Sequence, residues 1–152
     1  MDTLASRRHA IGEDFRNTVE GTLPAEKVDE FVASIHAATD ASSHCLGRIQ
    51  FYFFYARVGL VTLRPGDPFP YVFDGEAGGL FFVGNLAVDG QLYTSDLGRL
   101  VRATRRFWLS AGPIGTFIFF MDENDSYLGD LWSEGTLLQG AVGTGSGRWV
   151  HP

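Results

Sequence analysis

The chain has 152 residues, of which 45% are hydrophobic, 20% are charged and 14% are aromatic, and its net charge at pH 7 is −6. This length and composition indicate one globular domain with a sizeable core, not a disordered segment. The acidic balance argues against nucleic acid as a partner and against simple electrostatic attraction to anionic lipid. The single cysteine, Cys45, excludes an internal disulfide.

The N-terminal region divides into a tail and a helix. Residues 1–21 are polar with scattered apolar positions, which predicts a mobile tail ahead of a domain over 22–152. No apolar run follows the arginines near the start, so no secretory signal is expected. No stretch reaches the roughly 18 continuous apolar residues of a membrane-spanning helix. Val28, Phe31, Val32 and Ile35 share one helical face, and this pattern predicts a helix at about 24–38.

From Leu46 onward the hydrophobic pattern changes from helix to strand. RIQFYFFYARV is aromatic and β-branched, and it predicts a strand with Ile49, Phe51, Phe53 and Tyr55 on one face. GLVTL continues it as a bent or second strand. Residues 64–70, which hold three prolines, and DGEAGG at 74–79 are predicted loops. LFFVGNLAV at 80–88 is a predicted strand, and the Asp-Gly pair at 89–90 a predicted turn.

The second half adds a short helix and more strands. Leu97, Leu100 and Val101 have helical spacing within 94–104, and Thr94 or Ser95 can cap this helix, with Asp96 in its first turn. RFWLSAG and IGTFIFFM (114–121) are predicted strands, DEND (122–125) is a hairpin turn, and SYLGDLWSEG, TLLQGAV and GSGRWV complete the set.

About eight short strands joined mainly by short turns predict an all-β, antiparallel fold, because parallel neighbours need long crossovers. Eight such strands form a barrel or a sandwich. Glycines inside or beside the predicted strands favour the barrel, since a small closed barrel needs sharp bends: Gly84, Gly115, Gly129, Gly140 and Gly145.

The glycine-rich run GAVGTGSGRW (140–149) could in principle be a nucleotide-binding loop. Its glycine spacing does not match a dinucleotide fingerprint, and no helix follows to receive a phosphate. It is therefore interpreted as a closing strand whose glycines let another layer approach. DENDS (122–126) fits a solvated turn better than a calcium loop. No metal-site spacing and no catalytic constellation is recognisable, so the sequence predicts neither an enzyme nor a cofactor or metal.

Aromatic and aliphatic residues occupy both faces of two predicted strands. Phe81 and Val83 oppose Phe82, and Phe117 and Phe119 oppose Ile118 and Phe120. A barrel interior buries only one face, so the other needs the 24–38 helix, a partner or lipid to cover it. Phe81, Val83, Phe117 and Phe119 are accordingly the candidate binding residues.

The segment from Gly90 to Trp149 resembles the C-terminal half of the virulence-associated (Vap) protein family of intracellular actinobacterial pathogens. The matching motifs occur in the family's order and spacing: Tyr93 to Leu100, Thr104 to Phe107, Phe119 to Asp122, Leu128-Gly129 and Gly145-Ser146-Gly147-Arg148-Trp149. The resemblance implies a compact eight-stranded antiparallel barrel with a short helix and without known catalytic residues. Gly129, Gly145, Gly147 and Trp149 take structural roles in this interpretation. The family's members are secreted and act on host endolysosomal membranes.

The expected function is that of a non-enzymatic, Vap-like effector or interaction module acting on a membrane lipid or a protein partner. The alternative is a carrier of a small apolar ligand, of the calycin-like barrel type, because eight strands leave room for at most one small ligand. The localisation stays open, since the chain shows no signal peptide while the resemblance implies secretion.

Overall fold

The computed structural model describes the backbone of residues 9, 12–13, 16–17, 21, 24–36, 42–63, 70–112, 115–134 and 141–150. Most of the predicted tail lies outside these residues. The elements bounded within them are, in chain order, α1 Ala25–His36, β1 Ser42–Tyr52, β2 Tyr55–Thr62, β3 Tyr71–Leu80, β4 Val83–Tyr93, α2 Leu97–Ala103, β5 Arg106–Ala111, β6 Thr116–Met121, β7 Tyr127–Ser133 and β8 Ala141–Val150.

The strands form a closed barrel in the order β1-β2-β3-β8-β5-β6-β7-β4, with β4 pairing back onto β1. Every neighbouring pair is antiparallel. Chain-consecutive strands form hairpins in β1-β2-β3 and β5-β6-β7, and the last strand enters between β3 and β5. The closed eight-stranded antiparallel barrel predicted from the sequence is confirmed.

The last strand contains most of the terminal glycine run, and its glycines serve close packing. A Cβ at Gly143 would lie 2.5 Å from the Phe81 ring, and one at Gly147 would lie 2.5 Å from the Phe73 ring. A Cβ at Gly145 would overlap the backbone carbonyl oxygen of Glu76 on β3. The prediction of a strand is therefore confirmed for residues 141–150, while Gly140 lies outside the described residues.

Large aromatic side chains fill the barrel interior. The Phe73 ring centroid lies 5.6 Å from Phe107, 5.3 Å from Phe120 and 5.2 Å from Trp149. The Phe120 and Trp149 centroids are 5.5 Å apart. These rings belong to a continuous buried cluster to which every strand contributes. Over the described residues this packing disfavours the carrier alternative, which needs a hollow barrel.

Helix α1 packs on the outside of the barrel. Its buried side chains Val28, Phe31 and Val32 join a second cluster formed by the outward faces of β6 and β7, with contributions from Phe117, Phe119, Met121 and Trp132. The Phe31 and Phe119 rings are stacked, 4.7 Å apart and 5° from parallel. The sequence allowed the outward face of β6 to be covered by the helix, by a partner or by lipid. In the structure, helix α1 lies over Phe117 and Phe119.

The short helix α2 is confirmed, with a different cap. The Asp96 carboxylate accepts a hydrogen bond from the Arg99 N–H at 3.0 Å, so Asp96 is the N-cap, and the expected caps Thr94 and Ser95 precede it. The Thr94 hydroxyl instead donates to Leu128 O at 2.8 Å. Leu100 is the buried residue of this helix and joins the barrel interior.

Four sequence assignments between residues 46 and 90 are wrong. LFFVGNLAV at 80–88 is not one strand: Leu80 ends β3, Phe81 and Phe82 lie in the connection, and β4 begins at Val83, so Phe81 and Val83 do not share a strand face opposite Phe82. The strand predicted through Phe53 and Tyr55 is two strands separated by a turn at Phe53-Phe54, so these residues do not share a strand face with Ile49 and Phe51. DGEAGG is the middle of β3, and the Asp-Gly pair at 89–90 lies inside β4. In the two glycine-containing segments cross-strand pairing outweighs the turn preference of the glycines.

Candidate interaction site

The turn between β1 and β2 exposes four consecutive aromatic residues. Tyr52, Phe53, Phe54 and Tyr55 have exposed fractions of 52%, 59%, 72% and 37%. The Phe54 N–H donates to Tyr52 O at 3.0 Å, and Phe53 between them has a φ of 72°. This is a γ-turn of the left-handed form, which is rare and strained for a residue with a side chain.

The turn between β3 and β4 lies directly beside these aromatics. The Gly79 N–H donates to Phe54 O at 3.3 Å, and the Phe81 N–H donates to Phe53 O at 2.5 Å. Leu80 is 70% exposed and Val83 is 63% exposed. The two turns thus form one surface at one end of the barrel, which we call the aromatic tip: Tyr52, Phe53, Phe54, Tyr55, Leu80 and Val83.

Buried aromatic rings support the aromatic tip from below. The Phe51 centroid lies 5.3 Å from Phe81 and 4.5 Å from Phe82. Phe81 is only 5% exposed, and its ring lies where a side chain at Gly79 or Gly143 would have to be. The missing side chains of these glycines therefore allow the Phe81 ring to pack under the exposed surface.

The structure separates the four candidate binding residues. Val83 lies on the aromatic tip and Phe81 lies beneath it. Phe117 and Phe119 are stacked on each other at 5.4 Å and are buried in the cluster under α1. The sequence pattern did not predict Tyr52, Phe53, Phe54 and Tyr55 as surface residues, because an unbroken aromatic run matched a continuing strand. The unusual length of the aromatic run at residues 51–55 was the one sequence feature that could have indicated an exposed turn there.

The four residues assigned structural roles all have close neighbours. A Cβ at Gly129 would lie 2.6 Å from Leu100 of α2, and Gly145 and Gly147 face β3 as described above. Trp149 is buried against Phe73 and Phe120.

Charged and titratable groups flank the aromatic tip. The Tyr55 hydroxyl donates to Glu76 Oε1 at 2.9 Å, and this hydrogen bond raises the pKa of the Tyr55 phenol because the carboxylate holds the proton in place. Arg106 lies with Phe54, Tyr55 and Glu76 along an open groove on the side of the tip. The tip therefore has an apolar apex and a polar shoulder.

Titratable groups elsewhere form no recognisable catalytic or metal site over the described residues. Burial raises the pKa of the Cys45 thiol to about 12, so it is not a nucleophile at neutral pH. His44 Nε2 and Asp89 Oδ1 are 2.5 Å apart on the exposed barrel surface. Asp122 accepts hydrogen bonds from the Asn124 and Ser126 N–H groups, both at 2.9 Å, which confirms the predicted turn there. Within the described ranges, no group of three or more His, Cys, Asp and Glu side chains could hold a metal ion.

No helix among the described residues is long and apolar enough to span a membrane.

Comparison with known proteins gives a consistent result. A sequence model described as Rhodococcus equi virulence-associated protein matches residues 3–150. The solved structure of virulence-associated protein VapB from the intracellular pathogen Rhodococcus equi is 32% identical, with a TM-score of 0.63, over 72% of this chain and 96% of that one. The structure of VapD from the same organism is 25% identical, with a TM-score of 0.68, over 72% of this chain and 97% of that one. No curated protein sequence matches the chain.

Proposed function

The chain belongs to the Rhodococcus equi virulence-associated protein family, and from this premise we propose that it is a non-enzymatic module that binds membranes through its aromatic tip. The observation that carries the proposal is the contiguous exposure of Tyr52, Phe53, Phe54, Tyr55, Leu80 and Val83 at one end of the barrel. Its similarity to virulence-associated proteins of an intracellular pathogen supports a role at a host surface.

The order of side chains along the turn supports a membrane as the occupant. Phe53 and Phe54 form the apex, and Tyr52 and Tyr55 form the shoulders. Tyrosine favours the headgroup level of a bilayer, where its ring is apolar and its hydroxyl stays hydrated, and phenylalanine enters further. An apex of phenylalanine with tyrosine behind it therefore matches the polarity gradient of a membrane interface.

The rigidity of the tip favours binding as well. Hydrogen bonds from Gly79 and Phe81 hold the turn against β3 and β4, and the Phe51 and Phe81 rings support it. A pre-ordered surface loses less conformational entropy on association than a flexible loop does. The strain at Phe53 is consistent with a turn retained for what it exposes and not for its stability.

The charge of the protein determines which kind of membrane binding we expect. With a net charge of −6, the protein as a whole is not attracted to anionic lipid. Binding should therefore come from burial of apolar area, at about 25 cal/mol per Å². We expect association with zwitterionic vesicles and little change when salt is added, because salt screens charges and not apolar contacts.

The test is flotation of the full chain with phosphatidylcholine vesicles at pH 5 and pH 7. We expect the unaltered protein to float and Phe54→Asp to remain in the dense fraction, with circular dichroism showing that both are folded. Leu63→Asp is the matched control, because Leu63 is 55% exposed but lies beyond β2, at the other end of the barrel from the tip. Absence of flotation at both pH values, or equal loss in both variants, would refute the proposal. Either result would favour a protein, and not a membrane, as the partner of the aromatic tip.

A further inference from the structure

The opposite end of the barrel carries a groove bordered by three arginines. Arg102 on α2, Arg105 after it and Arg148 on β8 line an open groove of about 470 Å³, together with Tyr71, Val101 and Trp149. We call this the arginine groove. Arg148 and Trp149 belong to the terminal glycine-rich motif, and the proposed membrane function makes no use of them.

None of these three arginines forms a side-chain ion pair within the described part of the chain, although Asp74 borders an adjoining pocket with Arg105 and Arg148. The side-chain ion pairs of arginine there join Arg16 to Asp29, Arg57 to Asp74 and Arg106 to Asp125. Asp74 lies opposite Arg148 in the β3-β8 register, but its carboxylate is 3.6 Å from Arg57 Nε.

A purely structural explanation accounts for two of the three charges. A cation in the last turn of a helix is stabilised by the helix dipole, and this explains Arg102. The Arg105 guanidinium donates to the carbonyls of Arg102 and Thr104 at the C-terminal end of α2, so it stabilises the same helix end. Neither reason applies to Arg148, which lies on β8. Three cations around one groove repel one another, and an anion bound between them would offset this repulsion.

Arg105 is held in a fixed position. Its Nη1 donates to Arg102 O at 3.0 Å and to Thr104 O at 2.7 Å, and the residue is half-buried. Its Nε and Nη2 groups make no hydrogen bond to a described residue. A guanidinium has five N–H donors in a planar fork that matches phosphate oxygens, so the anchored Arg105 keeps donors available for a ligand.

From these observations we infer that the arginine groove binds the phosphate group of a small soluble molecule. The groove volume lies within the range of small-molecule sites, and Tyr71 and Trp149 give it an aromatic wall beside the cations. The phosphate chemistry is argued without the proposed membrane function, whereas the choice of a soluble molecule over a lipid headgroup rests on it.

A lipid headgroup offers the same phosphate chemistry, but the position of the groove disfavours it. Tyr71 begins β3 and borders the groove, whereas Leu80 ends β3 on the aromatic tip. At about 3.3 Å per residue the two ends of this strand lie about 30 Å apart. A bilayer that receives the aromatic tip would leave the arginine groove in water.

The test is titration of the full chain with inorganic pyrophosphate at low salt, with binding measured by isothermal titration calorimetry. We expect saturable binding that weakens about tenfold in Arg102→Gln and in Arg148→Gln, the usual effect of losing a charge-assisted hydrogen bond. Arg99→Gln is the matched control, since it removes the same charge from an exposed position of α2 that does not line the groove. We expect it to bind within about twofold of the unaltered protein. Arg105 is left in place because its guanidinium also binds two backbone carbonyls.

Three results would overturn the inference: no binding of pyrophosphate at millimolar concentration, an equal loss in Arg99→Gln, or binding only to vesicles that contain phosphatidylglycerol. The melting temperature of each variant, measured without pyrophosphate, separates loss of the site from loss of the fold.

Discussion

The ring of Phe31 on α1 lies parallel to the ring of Phe119 on β6, with centroids 4.7 Å apart. Both side chains are fully buried. This contact makes the N-terminal helix part of the domain, because it covers apolar groups that the closed barrel directs outward. Phe117 and Phe119, which point outward from β6, are therefore part of a buried cluster and not of an exposed surface.

Shortening Phe31 should therefore destabilise the protein. We expect Phe31→Ala to lower the free energy of unfolding by about 3–5 kcal/mol, the usual cost of deleting a buried aromatic ring. Ala33→Gln is the control, because Ala33 is exposed on the same helix and should change stability by less than about 0.5 kcal/mol. Urea denaturation followed by fluorescence measures both. A Phe31→Ala protein as stable as the control would show that α1 contributes little to the fold.

The packing of the last strand gives a second prediction. Gly145→Ala should destabilise the protein by at least about 1–3 kcal/mol, because the added methyl group would overlap a backbone atom of β3 that cannot move alone. Gly59→Ala should be neutral or stabilise by up to about 1 kcal/mol, since nothing lies within 4 Å of the added methyl group. Thermal melting of the pair tests the glycine run as a packing device. Equal effects at both positions would contradict it.

The turn at the aromatic tip gives a third prediction, in which replacing Phe53 raises the stability of the fold but weakens vesicle binding. Phe53→Gly should stabilise the fold by about 1 kcal/mol, because glycine adopts a φ of 72° without strain. Phe54→Gly should cost about 0.5–1 kcal/mol, since Phe54 has ordinary backbone geometry there. Both variants should bind vesicles less well, because each removes an exposed phenyl ring. Destabilisation of equal size in both would contradict the strain at Phe53.

Cys45 gives a prediction about reactivity and pH. Burial raises the pKa of its thiol to about 12, so the native protein should resist alkylation by iodoacetamide at pH 8 and react fully in urea. The folded state keeps this proton while the unfolded thiol loses it near pH 9. Stability should therefore fall as the pH rises from 9 toward 12, by up to about 1.4 kcal/mol per pH unit. Cys45→Ala should show a shallower fall over the same range. Rapid alkylation of the native protein would contradict this prediction.

The second half of the chain was the more predictable one. Asp122 and the DEND turn, the helix over Leu97 and Leu100, and the strand through Phe117 and Phe119 were each recoverable, because their local pattern agrees with their tertiary environment. The first half contained conflicts. Gly75, Gly78 and Gly79 read as a loop, yet they lie in β3 because β2 and β8 pair with it on both sides. The tip residues Tyr52 to Tyr55 were predicted as part of a strand because the run of aromatic residues continues without interruption through the turn.

The sequence by itself determined the all-β class, the antiparallel pairing and the N-terminal helix with its apolar face, since periodicity and short turns are local properties. It did not determine the individual strands, because β3 lies where a loop was predicted and residues 141–142 of TLLQGAV belong to the same strand as GSGRWV. Only the tertiary structure decided which apolar residues are exposed. Phe119 and Phe54 are equally hydrophobic, but one lies under α1 and the other at the apex of a turn. The same holds for the arginine groove, where Arg102 and Arg148 are far apart along the chain and meet because β8 closes the barrel beside α2. Side chains distant in sequence form a surface only when strand pairing brings them together, and no local pattern contains that information.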